Sequence, residues 1–353
     1  MMKKSLIALA VMAASSTAFA ATSNVDLYGQ VRMSADHINS SAANSDKWQV
    51  ADRVSRIGVK GTEDLGGGMS AVWGLEWGVD IDNNGTLGTT TERTDASVLR
   101  ARNQFIGLKG AFGTVLAGRH DAPYKLAGSA DLFGDTAADA TSEGTTAITA
   151  AATNPVIIGR NGFDTRANQT IAYITPDYSG FHAAVAFIPG EEGAGAAASN
   201  DANGLADAWS ATLIYKNGPL NASVSQQAFS GSMASTSTAT GVDKKGTKFN
   251  IGYAMGDVKL GYTYEESNNS YTAGTVKDKG QLASVAYAMG PITLAAQYGK
   301  FDDKNSTGDV TTSTIGVVYN LSKRTNTYVG YADIDNQTAA DGKVLTIGLN
   351  HSF

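Results

Sequence analysis

The chain has 353 residues, with 27 basic against 33 acidic side chains, 40 glycines and no cysteine. Only 17% of residues are charged, yet aromatic and branched side chains recur throughout, which excludes a chain disordered by composition. The acidic balance suggests no nucleic-acid-binding surface.

Met1–Lys4 is a short basic start, Ser5–Ala14 an apolar core, and Ala18-Phe19-Ala20 a small-x-small cleavage site. Residues 1–20 are therefore expected to be an export signal, cut before Ala21, with 21–353 forming one domain. Removing Lys3 and Lys4 leaves 25 of the 27 bases against 33 acids, formally −8. No later run reaches about 18 uninterrupted apolar residues, so no spanning helix is expected. An exported chain without disulfides draws its stability from the fold itself.

Strand-like runs follow near 25–36, 52–61, 69–80, 96–110, 114–120, 167–175, 181–189, 207–216, 220–229, 246–255, 257–266, 278–288, 291–301, 310–320, 326–335 and 342–353. Their period is two. Val258, Leu260, Tyr262 and Tyr264 oppose Lys259, Gly261, Thr263 and Glu265, and Leu345, Ile347 and Leu349 oppose Thr346, Gly348 and Asn350. Short Gly-, Pro- and Asn-rich turns such as 217–219, 255–257 and 289–291 alternate with long connectors. Sixteen runs with short turns at one end and long loops at the other predict an all-β fold, a 16-stranded antiparallel transmembrane β-barrel. A propeller would show a blade repeat, and a sandwich core would need both inner faces apolar.

The longest connector, Asp121–Arg166, carries Asp121, Asp131, Asp135, Asp139, Glu143 and Asp164. Arginines lie on the runs around it. Arg32 shares parity with Tyr28 and Gln30, Arg56 opposes Ile57 and Val59, Arg100 and Arg102 oppose Phe105, Arg119 opposes Leu116, and Arg166 opposes Ile171. An arginine facing lipid near the midplane costs about 2–4 kcal/mol, so these side chains are expected to face inward or sit at a rim. A solid core would leave them buried and unpaired; a water-filled lumen with an acidic loop opposite would not.

Other signals are weaker. Asp80-x-Asp82-x-Asn84-Gly85 imitates the start of a calcium loop, but Thr91 stands where the closing Glu is needed, so a turn-rich hairpin loop is expected and no metal. His120-Asp121 has no nucleophile in a shared motif, and no enzyme is expected. Gly66-Gly67-Gly68 lacks the lysine of a phosphate loop. Trp73, Trp77, Trp209, Tyr215, Tyr287 and Tyr298 fit an aromatic girdle at the membrane interface.

Several longer stretches resemble the trimeric general porins of Gram-negative outer membranes, in the β-proteobacterial branch. They are Leu27-Tyr28-Gly29, Ser55 to Gly66, Arg102 to Gly110, Gly118 to Lys125, Phe133-Gly134-Asp135-Thr136 and Asn168 to Tyr173. The resemblance covers nearly all of 21–353. It implies that loop 121–166 folds into the barrel and narrows the pore. Arg32, Arg56, Arg100, Arg102 and Arg119 would then be wall residues facing Asp131, Asp135 and Asp139. It also implies a homotrimer in the outer membrane, in contact with its lipid and lipopolysaccharide, with Phe353 read by the outer-membrane assembly machinery. The implied function is passive diffusion of ions and small hydrophilic solutes, without a cofactor. A modest anion preference follows if charges near the narrowing outweigh distant loop acids, which a Debye length of about 8 Å screens. A sugar- or acid-selective channel and a surface-binding barrel with a closed lumen stay open as alternatives. The Ala/Thr-rich stretch Thr136–Ala152 is the one departure from the pattern.

Overall fold

A computed structural model of the chain describes residues 24–41, 46–82, 99–141, 156–190, 204–229, 244–268, 277–304, 308–337 and 340–353. The export signal, Glu143 and most of the calcium-like loop lie outside these residues. Among the described residues, seventeen strand segments form one antiparallel sheet. They are β1 (Asn24–Ser40), β2 (Lys47–Asp52), β3 (Arg56–Gly66), β4 (Met69–Val79), β5 (Leu99–Gly110), β6 (Gly113–Asp121), β7 (Arg166–Ile174), β8 (Phe181–Ile188), β9 (Ala208–Asn217), β10 (Leu220–Phe229), β11 (Lys244–Met255), β12 (Val258–Asn268), β13 (Lys277–Met289), β14 (Ile292–Asp302), β15 (Val310–Asn320), β16 (Thr325–Asn336) and β17 (Gly342–Ser352).

The sheet closes on itself. β1 pairs along Gln30–Ser40 with β17, and on its other side with β3 through Asn24–Gln30 and with β2 through Met33–Ile38. β2 and β3 are thus two halves of one barrel strand, and the ring has sixteen strands, as the sequence pattern predicts. The interruption falls at Arg53–Ser55, where Val54 adopts φ 60°. A β-branched residue is disfavoured there, so the run expected at 52–61 becomes a broken strand spanning 47–66. β1 also runs on to Ser40, which shortens the connector expected at 37–51. At the short-turn end, Gly256 and Gly290 each take φ 58°, the left-handed conformation that a two-residue reversal requires.

Burial in this barrel is inverted relative to a water-soluble protein. Ser210, Thr212, Ser225, Gln227, Asn250, Thr263, Gln297 and Thr314 are buried, while Leu213, Val224, Leu260, Val285, Ile315, Val317 and Leu349 are exposed. A contiguous outward apolar belt far exceeds the few hundred Å² found on soluble monomers, and closure leaves no sheet edge unpaired. Lipid is the solvent that suits it. Tyr253, Tyr287 and Tyr319 lie outward near the short turns, where a girdle of amphipathic rings is expected. Ile315, at the middle of β15, is 62% exposed. Ile315→Arg should therefore cost about 2–4 kcal/mol, read as a lower unfolding temperature and a reduced yield of folded protein.

Strict alternation fails at one place that matters. Between β4 and β5 the register shifts, with Leu75 opposite Gln104 and Trp77 opposite Ala101, so that Arg102 and Asn103 together face Glu76. This bulge re-aims the side chains that follow it. Phe105, expected on the outer face opposite Arg102, instead stacks edge-on against His120 at 5.0 Å and covers Gly74.

Candidate functional site

The polar face of β1, β3 and β5 carries arginines, and that of β4 carries Glu76, because each falls on the inward parity of its strand. Arg32 and Arg56 converge on one acceptor. The Arg32 guanidinium donates to the Asp135 carboxylate, and the nearest Arg56 nitrogen lies 3.7 Å from the same oxygen. Arg56 also donates to Gln30 at 2.9 Å. One step around the wall, Arg102 pairs with Glu76 at 2.6 Å, and the Tyr28 hydroxyl donates to the other Glu76 oxygen at 3.2 Å. Tyr28, Gln30, Arg56, Glu76, Arg102 and Asp135 border an open space of about 540 Å³.

Arg166 and Arg119 belong to a second group at the root of the long connector. Arg166 reaches the Asp121 carboxylate at 2.9 Å and donates to Asn103 at 2.9 Å. Asn103 in turn donates to Asp121 at 2.9 Å, and Lys125 lies 3.7 Å from that carboxylate. Arg119 donates to the Ala101 carbonyl at 3.2 Å and to the Asn168 side chain. Arg100 is exposed at the start of β5, across from Gly78, and is not part of the Asp135 cluster.

The connector follows the polar face of the sheet from strand to strand. It begins with one helical turn, α1 (Pro123–Leu126), with Pro123 at the first position, where a missing N–H costs nothing. Tyr124 N–H donates to Ser210 of β9, Ser223 of β10 donates to the Ala127 carbonyl, Ala130 N–H donates to Thr263 of β12, and Leu132 N–H donates to Gln297 of β14. The Tyr124 hydroxyl and Gly159 N–H both donate to Glu265, each at 2.9 Å. Burial, then the Glu265 charge, pushes the Tyr124 hydroxyl pKa up, so the tyrosine stays a donor. Lys248 pairs with Asp164 at 2.8 Å and lies over the Tyr124 ring.

The acids of this segment divide by role. Asp135 faces the arginines. Asp131 and Asp139 use their oxygens locally: Asp131 accepts from the N–H groups of Phe133 and Ala140, and Asp139 from those of Asp135 and Thr141. Complete burial, with the Asp131 charge second, raises the Asp139 carboxyl well above the usual carboxylate range. The described part of the Ala/Thr-rich stretch packs as core. Ala137, Ala138 and Ala140 join Phe133, Ile157 and Ile158 against Leu282, Phe301, Val310, Ile334 and Val344 of β13–β17.

Sequence reasoning missed Glu76, Lys248 and Glu265, all of which sit on the inward parity of their strands and could have been read from it. It also missed the fully buried pair of Arg53 and Asp36, to which Ser34 adds a hydrogen bond from Arg53 at 2.8 Å. Only the break between β2 and β3 brings Arg53 there. Among the described residues no cluster has the composition of a metal site. The Asp82 carboxylate instead accepts the Asp52 N–H at 2.8 Å. Phe353 closes the seam, its N–H and carbonyl exchanging hydrogen bonds with Gly29 at 3.1 Å.

Comparison with known proteins adds four findings. Residues 8–339 match the family described as Gram-negative porin. Outer membrane porin protein 32 of Delftia acidovorans is 30% identical, over 99% of this chain and 92% of its own. Among solved structures, an anion-selective porin from Comamonas acidovorans superposes with a TM-score of 0.70 at 24% identity, covering 94% of this chain and all of the other. A trimer form of OmpT from Vibrio cholerae superposes with a TM-score of 0.64 at 15% identity, over 94% of this chain and 99% of the other.

Proposed function

The chain belongs to the Gram-negative porin family, and from that premise we propose that it forms a water-filled pore narrowed by the segment 121–166. Ions and small hydrophilic solutes cross the outer membrane through it by diffusion, with a modest preference for anions and no covalent chemistry. The observation that carries this reading is the bridge from Asp135 to Arg32 and Arg56. It links a carboxylate on the connector to cations on the far side of the chain, next to an open charged space.

Among the described residues the charges there do not cancel. Arg32, Arg56 and Arg102 face two acids, Asp135 and Glu76, and Arg119, Arg166 and Lys125 face Asp121. The surplus is positive and close to the path, whereas acids farther than about 8 Å from the path are largely screened. Glu143 joins this reading only as an acid of the same segment. Arg100, set apart from the cluster, has a smaller share in it.

By the same reading the protein is a homotrimer. The outward faces of β1 and β17 provide much of the subunit contact, and lipid and lipopolysaccharide surround the rest. The exposed Phe353, at the closing end of the barrel, is the element that the assembly machinery would recognise.

Single-channel recording on purified oligomer tests the function. Steady conductance steps with a reversal potential on the anion side are expected; a silent barrel or strong cation preference would overturn it. Arg102→Ser removes a cation and leaves Glu76 the hydrogen bond from Tyr28. Selectivity should move toward cations, by more than with Arg100→Ser, without loss of thermal stability of the oligomer.

A further inference from the structure

We propose that Phe133, seated on the glycine pair Gly316 and Gly330, is the positioning residue that holds Asp135 against Arg32 and Arg56 and so sets the ion selectivity. This rests on the reading that segment 121–166 narrows the pore.

Gly316 of β15 and Gly330 of β16 are direct cross-strand partners. Other inward positions of the same two strands carry Thr312, Thr314, Tyr328, Ala332 and Ile334, so the glycines leave a notch in the wall. The Phe133 ring fills it. A Cβ on Gly316 would come within 2.6 Å of the ring, and one on Gly330 within 3.5 Å. Phe133 is only 4% exposed.

The ring and the carboxylate belong to one turn. Thr136 N–H donates to the Phe133 carbonyl at 3.1 Å, and the Thr136 hydroxyl donates to the same oxygen at 2.6 Å. Asp135, third in the turn, has φ 59°, and its N–H donates to Asp139 at 2.7 Å. Aspartate tolerates that conformation better than most residues, and the tight closure fixes the direction of its side chain relative to the ring. A long connector held only by ion pairs in water would sample many positions, because exposed pairs are weak. An aromatic ring lodged in a shaped notch has far fewer. The device recurs along the wall: Ile157 lies over Gly299, with its carbonyl against Gly280, and Phe163 lies over Gly246.

Permeability ratios in planar bilayers test the assignment, with oligomer melting as a control for folding. Phe133→Ala should raise the anion-to-cation ratio severalfold and enlarge the conductance, and Phe133→Leu should restore most of the original ratio. The double variant Phe133→Ala/Asp135→Asn should match Asp135→Asn alone, because the ring acts through the carboxylate. Should Phe133→Ala fail to fold, Gly330→Ala supplies the milder displacement. Its methyl crowds the ring and the Thr346 methyl, at 3.5 and 3.2 Å, without meeting backbone, and an intermediate shift is expected. A folded Phe133→Ala with an unchanged ratio, or a shift that adds to that of Asp135→Asn, overturns the inference. If Asp135→Asn alone changes neither conductance nor selectivity, the constriction reading fails, and the inference fails with it.

Discussion

Asp135→Asn should increase the anion-to-cation permeability ratio roughly fivefold at low salt. The carboxylate is the shared acceptor of Arg32 and Arg56, so its neutralisation releases two cations toward the passing ion. A unit charge at ~4 Å contributes about 1 kcal/mol in bulk water and about 4 kcal/mol at an effective dielectric of 20. The lower figure suits a wet space, and 1.4 kcal/mol is about tenfold. Asparagine also tolerates a left-handed backbone, so the turn at φ 59° keeps its shape. The effect should shrink toward 1 M salt, where the screening length falls to about 3 Å. Reversal potentials measured across a salt gradient at both strengths decide the matter, and equal ratios in variant and parent would remove Asp135 from the ion path.

The largest effect on stability is expected at a different arginine. Arg53 and Asp36 are 1% and 0% exposed and pair with each other, with Ser34 alongside. Arg53→Met leaves a carboxylate buried without its cation, which costs about 3–5 kcal/mol. Arg53→Met/Asp36→Leu removes both charges and should recover most of that loss, since buried pairs exchanged for apolar residues are often neutral. Thermal or urea unfolding in detergent, followed by the loss of compact mobility in gels, reads both outcomes. A single variant as stable as the parent would show that water, not Arg53, compensates Asp36.

Much of this barrel was legible in the sequence because its physics is local. Alternation such as Leu260–Gly261–Tyr262–Thr263 assigns faces residue by residue, and Gly-rich reversals mark where the chain turns. The count of sixteen strands follows from those two signals. What the sequence hides is non-local. A bulge inverts parity after Asn103, which turns Phe105 inward and brings Asn103 and Arg102 to one side. The break at Val54 divides a strand and places Arg53 beside Asp36. Asp131, Asp135 and Asp139 have the same chemistry and similar spacing, yet only Asp135 meets the arginines. The turn that separates them is set by Phe133, and its seat is built from two glycines far along the chain. Glycine in a strand reads as weakness until the side chain that fills its space is known.

The seam between β1 and β17 carries a consequence for the birth of the molecule. Gln30 pairs with Ser352, and Gly29 with the terminal Phe353, nearly the whole length of the chain apart. β1 therefore waits, one flank unsatisfied, until β17 is in place. Pairings of such sequence separation are slow to form, and an open flank in the interval is a template for association with the wrong chain. Completion of this barrel waits on its seventeenth strand segment, and escort of the unfinished sheet is part of its physical requirement.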